Sequence, residues 1–173
     1  MTILSTIGYE ASSLEDFIAT LRVAGIKILV DVRQVPASRR KGFSKNALQA
    51  AVESVGIEYV HLVGLGDPKE GRDAAREGDF NKFLQVYKAH MKTPEFKADF
   101  QAAVEFTKGD GACLMCYERN HKECHRKLIA EKIFNIVGAD IQNLGVREGI
   151  ARDGYKVRSR ARSNSRQGVA ACG

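Results

Sequence analysis

Short apolar, β-branched runs alternate with helix-patterned segments along most of the chain, and this alternation restricts the fold more than any other feature. "ILSTIGY" (3–9), "IKILVDVR" (26–33), "IEYVHLV" (57–63), "ACLMCYE" (112–118) and "ADIQNLG" (139–145) each have strand length and strand composition. Between them lie helical patterns with recognisable ends. Leu14, Phe17, Ile18 and Leu21 share one face of a first helix, with Ser12 and Glu15 spaced as a capping box and Gly25 as its stop. Ser44 opens a second helix that Gly56 closes. The segment 64–79 is rich in glycine and charge and reads as a long loop. Asp79 caps the next helix, and Thr93 with Pro94 and Glu95 opens another. A last helix follows the fourth strand, with Leu128, Ile129, Ile133 and Ile136 expected on its packed face. Strand–helix alternation of this kind predicts a single α/β domain over residues 1–151. Its architecture would be three-layer α/β/α, around a mostly parallel sheet of about five strands.

The 173 residues are 44% hydrophobic, enough for one sizeable core. No apolar run approaches the ~18 residues of a membrane span. The opening "MTILSTIGYE" lacks the pattern of a secretory signal, so the expected location is cytoplasmic and the cysteines are expected as thiols. The net charge of +6 is uneven. Residues 152–173 carry six basic side chains against Asp153, which is +5 of the total. This segment is expected to be a disordered basic tail. It either solubilises the domain or touches a nucleic acid or other anionic surface.

"CLMCYERNHKECHRK", Cys113 to Lys127, is the densest chemistry in the chain. Cys113, Cys116, His121 and Cys124 have the composition of a zinc knuckle. A strand conformation argues against that use, because residues 113 and 116 then point to opposite faces of the sheet. No metal and no other cofactor is expected; the chain carries neither a G-x-G-x-x-G motif nor a P-loop. Cys113 reads as a small buried hydrophobe. Cys116 lies near the strand end, and Cys124, His125 and Arg126 fall in the first turn of the next helix, where the helix dipole favours thiolate. Cys116, Cys124 and His125 are therefore candidates for a reactive thiol site or for packing of the helix on the sheet.

In an open parallel sheet, ligands bind beyond the carboxyl ends of the strands. Those ends carry Tyr9, Asp31 and Arg33, His61, and Glu118 with Arg126 close behind. Asp31 and Glu118, on different strands, are the candidate catalytic carboxylates, with Tyr9 as a donor or a base-stacking ring. The loop 34–43 adds Ser38, Arg39 and Arg40 beside a helix N-terminus, a setting suited to phosphate. Arg33, Ser38, Arg39 and Arg126 are the candidate phosphate-binding residues.

"TIGY", "LVDVRQVPASRRKGFS", "GIEYVHLVGLG" and "CLMCYERNHKECHR" together resemble the family catalogued as domain of unknown function 488, from about Thr6 to Ile133. Tyr9, Asp31, Arg33, Pro36, Ser38, Cys116, Glu118, Cys124, His125 and Arg126 match its motif positions. Asp67 stands where the family commonly has a second glycine after "LG". The resemblance implies a compact α/β domain of bacterial and archaeal type; it implies no reaction.

The residues lead first to an enzyme acting on a phosphate-bearing substrate, a nucleotide or nucleic acid, by hydrolysis or transfer at an N-glycosidic or phosphoester bond. One alternative is a non-catalytic nucleotide- or nucleic-acid-binding module in which the carboxylates only organise the arginines. Another is a thiol enzyme or redox sensor built on Cys116 and Cys124. No membrane partner is expected.

Overall fold

The computed structural model describes residues 2–153. At its centre lies β4 (Ala112–Cys116), buried at every position. It is flanked by β1 (Ile3–Gly8) and β2 (Ile28–Asp31). β3 (Glu58–His61) extends the sheet beyond β2, and β5 (Asp140–Leu144) extends it beyond β1. The order is β3-β2-β4-β1-β5 and every pair is parallel. The expected α/β class and the parallel sheet are thus what the chain forms. No helix among the described residues is long and apolar enough to cross a membrane.

Alternation along β4 divides the interior into two cores. Leu114 and Cys116 face one side, packed with Phe83, Tyr87, Phe96 and Ile129. These come from α4 (Phe80–His90), α5 (Pro94–Lys108) and α6 (Arg126–Val137). Cys113 and Met115 face the other side, packed with Phe17 of α1 (Leu14–Val23) and Leu48 of α2 (Lys45–Glu53). Cys113 and Cys116 do point apart, and the strand pattern alone was enough to place them.

Several local expectations shift. Ser13, not Ser12, caps α1 by accepting from the Asp16 amide at 3.1 Å. Ser44 occupies the N-cap of α2, yet its hydroxyl bonds the Ser38 amide and carbonyl instead, closing the loop 34–43 on itself. The stretch read as a long loop contains a 3-10 turn (Val63–Leu65) and a helix, α3 (Lys69–Arg76). α3 escapes a periodicity reading because only Gly71 and Ala74 are buried in it. Ile136 lies on the solvent side of α6. Cys124 is extended and precedes α6, after a 3-10 turn over His121–Glu123, so it is not in the first helical turn. Residues 154–173, most of the expected tail, lie outside the described residues.

Two features aim the chain at one edge. β2 runs through α2 to β3 on one face of the sheet, whereas β4 runs through α6 to β5 on the other, so the loops after β2 and β4 diverge. A cleft opens where they part, as expected at such a switch point. Gly8 ends β1 directly beneath the loop after β4. A Cβ there would lie 1.8 Å from the Glu118 carbonyl oxygen, so only glycine allows this approach.

Candidate functional site

The cleft is a cavity of about 590 Å³ at the carboxyl edge between β2 and β4. Its rim is the loop Gln34–Arg40 on one side and α3, through Arg72 and Arg76, on the other. Tyr9 and Tyr117 form an aromatic wall, in edge contact at 5.4 Å, and Tyr9 is stacked on Phe43 at 4.4 Å. Cys116, Glu118, Cys124, His125 and Asp67 form the floor.

The expected residues separate into two groups. Tyr9, Arg33, Ser38, Arg39, Cys116, Glu118, Cys124 and His125 line the cavity. Asp31 and Arg126 do not. Asp31 is fully buried and accepts from the Arg33 amide, from Arg33 Nε and Nη2 (2.6 Å to the latter), and from the Tyr59 hydroxyl at 2.6 Å. Its oxygens are saturated, so it positions Arg33 and touches nothing in the cavity. Arg33 in turn donates through Nη1 to the Tyr9 hydroxyl and the Phe43 carbonyl. Burial opposes its charge, and the Asp31 carboxylate more than restores it. Arg126 is equally buried. Its guanidinium reaches the Glu118 and Arg119 carbonyls and the Thr6 hydroxyl, holding the loop after β4 rather than an anion. Arg39, by contrast, makes no hydrogen bond or ion pair with any described residue, and it lines the cavity from an exposed position on the rim loop.

On the floor, His125 Nε2 lies 2.9 Å from the Val32 carbonyl. A carbonyl only accepts, so Nε2 carries the proton and Nδ1 faces the two sulfurs, 3.9 Å from each. Cys116 donates to Glu118 Oε2 at 3.1 Å. The sulfurs of Cys116 and Cys124 and the His125 nitrogen all lie within 4.8 Å of one another, a grouping able to hold a metal ion. The three described cysteines are all free thiols.

Electrostatics couple this group. The neighbouring Cys124 sulfur and burial together push the Cys116 thiol up. Burial would also raise Cys124, but the neighbouring Cys116 thiol and the His125 charge beside it outweigh burial and hold it well below the ordinary range. Burial lowers His125, and the Cys124 thiolate overcomes this and carries it to about 9. Burial, then the Cys124 charge, lifts the Glu118 carboxyl to about 7. Asp67 is lifted to about 6, chiefly by burial. Its Oδ1 has no hydrogen-bond partner, and Gly71 leaves room for it, since a Cβ there would lie 2.2 Å away. Asp67 is thus, with Glu118 and Glu123, one of three carboxylates of the cavity, and stands in the place the strand-end reading assigned to Asp31. Arg72, Arg76 and Tyr117 also went unread. The two arginines sit on the helix mistaken for a loop, and Tyr117 is the outward neighbour of Cys116 on the strand end.

The parallel sheet with helices on both faces and a cavity at its switch point defines an α/β domain. Within that class, residues 13–133 match the family model described as domain of unknown function DUF488, and the chain belongs to that family. No curated protein and no solved structure matches it.

Proposed function

We propose that this protein is an enzyme acting on a small phosphate-bearing substrate, a nucleotide in preference to a duplex, by hydrolysis. The observation that carries the reading is the make-up of one cavity. An uncompensated Arg39 with Ser38 stands at its mouth, and a carboxyl that titrates near neutrality stands on its floor. Arginine at an open mouth suits a phosphate oxygen pair. A carboxyl near pH 7 is suited to exchange protons with water in both directions. Glu118 is the candidate acid–base group, and Tyr117, 43% exposed, offers its ring to a base. A cavity of 590 Å³ is in the usual range for small-molecule sites.

The test is turnover of a panel of nucleotides and the matching nucleosides. Nucleotides should be hydrolysed. Glu118→Gln should lower kcat at least ~100-fold with little change in KM, and Arg39→Ala should raise KM. Equal turnover of nucleosides would remove phosphate from the reading. Tight nucleotide binding without turnover would leave a binding module in its place.

The thiol reading has one observation in its favour, the Cys124 thiolate held beside a protonated His125. A nucleophile of this type needs one cysteine and one histidine. It leaves Cys116 without a role.

A further inference from the structure

From the way Cys116, Cys124 and His125 meet on the cavity floor, we infer that these three residues bind one divalent transition metal ion, zinc by ligand type, with its remaining position open to the cavity. Three features of the geometry point to this. First, His125 Nδ1 stands 3.9 Å from both sulfurs and favours neither, as a ligand set does and a nucleophile–base pair does not. Zn–S bonds of about 2.3 Å and Zn–N bonds of about 2.0 Å in a tetrahedron separate the ligand atoms by about 3.6–3.8 Å. The three atoms here lie within 4.8 Å of one another, so shifts of well under an ångström on average close the set. Second, the far side of the ring is already fixed. Nε2–H donates to the Val32 carbonyl, so the nitrogen that gives up its proton to a metal is Nδ1, whose lone pair is then aimed inward, the second-shell arrangement of metal-bound histidines. Third, the cavity floor holds an unsatisfied acceptor: Asp67 Oδ1, beside Gly71 and outside the Cys–Cys–His set, is unpartnered on a residue only 5% exposed. A buried polar atom without a partner calls for an ion or water to satisfy it.

Strand alternation excludes Cys113 and Cys116 as one chelate and leaves Cys116 free to pair with Cys124 across the loop after β4. Two thiolates and a neutral imidazole suit zinc better than hard cations. They also neutralise the ion's charge, which makes a buried site tolerable. On binding, two protons leave the Cys–Cys–His group and no electron moves. Resting on the hydrolytic reading above, the open position takes a water. Glu118, whose Oε2 lies 3.1 Å from the Cys116 sulfur, is the carboxyl that would take a proton from that water, the chemistry a metal would supply here.

Metal content of the full chain, purified under reducing conditions without added metal, tests the site directly. About one equivalent of zinc is expected, falling below about a tenth in Cys124→Ser and His125→Ala and staying at one in Cys113→Ala, whose sulfur faces the other core. Should a variant fail to fold, the unaltered chain still decides. After chelation and reloading with Co(II), it should show thiolate-to-cobalt charge-transfer absorption, and bound metal should protect Cys116 and Cys124 from iodoacetamide. An absence of stoichiometric metal and of charge-transfer absorption, with Cys124 rapidly alkylated, overturns the inference; nucleotide turnover in that same protein would leave the enzyme reading standing. Stoichiometric metal without turnover of any nucleotide would do the reverse, confirming the site and removing the enzyme.

Discussion

Asp31 and Glu118 look alike in the sequence, each a carboxylate at a strand end, and the structure gives them opposite consequences when mutated. In Asp31→Asn the fully buried acceptor of an ion pair becomes neutral. The amide nitrogen that replaces one carboxylate oxygen brings donors to a place where Arg33 already donates at 2.6–3.1 Å. Tyr59 can reverse its hydroxyl and accept; Arg33 cannot. The variant therefore keeps a guanidinium at 5% exposure without its counter-charge. Breaking a buried pair in this way costs about 3–5 kcal/mol, a large part of the ~5–15 kcal/mol that holds such a domain together. For a chain of this length that is a fall in Tm of about 6–20 °C, since each kcal/mol is worth roughly 2–4 °C. Glu118→Gln should behave differently. In metal-stripped protein its carboxyl is lifted from an ordinary 4.5 to about 7 by burial and by the Cys124 charge, so a neutral amide relieves that cost and should raise stability by up to about 3 kcal/mol at pH 7. The assay is a thermal melt of the two variants beside the parent at one pH, with nucleotide turnover measured on the same preparations. A Tm of Asp31→Asn within a degree or two of the parent, together with lost turnover, would refute the assignment of Asp31 to the scaffold and return it to the reaction.

Two further substitutions test neighbouring assignments. Asp67, in metal-stripped protein, has a folded pKa of about 6 against an ordinary 3.8, so its burial weakens the fold as pH rises through this window and leaves it untouched below. Asp67→Asn should therefore raise stability by up to about 3 kcal/mol at pH 8 and by almost nothing at pH 4; urea melts at the two pH values check this, and an equal effect at both would mean that charge is not the cause. Arg126→Lys keeps the charge but cannot span the Glu118 and Arg119 carbonyls and Thr6 together, so urea titration should show a loss of about 1.5–3 kcal/mol, with nucleotide affinity reduced less than by Arg39→Ala. A larger affinity loss than Arg39→Ala would make Arg126 an anion ligand after all.

How much of this was legible in the sequence depends on where each decision is made physically. The strands were, because a strand buried on both faces must be an almost unbroken apolar run, as in "ILV" and "ACLMC". The cleft's location was too, since parallel topology puts all carboxyl ends on one edge. α3 was not: "KEGRDAAR" packs only a glycine and an alanine, and a helix so polar leaves no hydrophobic period to find. Nor was the split between Asp31 and Glu118. Period-two alternation places Asp31 on the α1–α2 face with Tyr9 and Tyr59, but only the packed structure shows that Tyr59, from the adjacent strand β3, and Arg33, two residues on, close over it. Arg126 misled for a related reason. The start of a helix is an anion site when its arginine points outward, and here two backbone carbonyls of the preceding loop draw it in.

That loop is where scaffold and site become inseparable. Residues 117–123 carry the chain from the Cys116 thiol at the end of β4 to the Cys124 thiol before α6. The distance between the two sulfurs depends on the path of a segment with only a 3-10 turn of its own. Its position is set from outside: Gly8 lets β1 approach beneath it, the Glu10 carboxylate accepts from the Arg119 amide at 3.0 Å, and Arg126 gathers its carbonyls. The two cysteines are read from sequence as separate possibilities because nothing local joins them. They meet because β1, remote in the chain, and Arg126, at the start of the adjoining α6, hold the intervening backbone from below and behind, which leaves Tyr117 and Glu118 lining the cavity. A substitution at any of these supports should therefore disturb the Cys116–Cys124–His125 geometry before it unfolds the domain, since the two cores on either side of β4 do not depend on the loop.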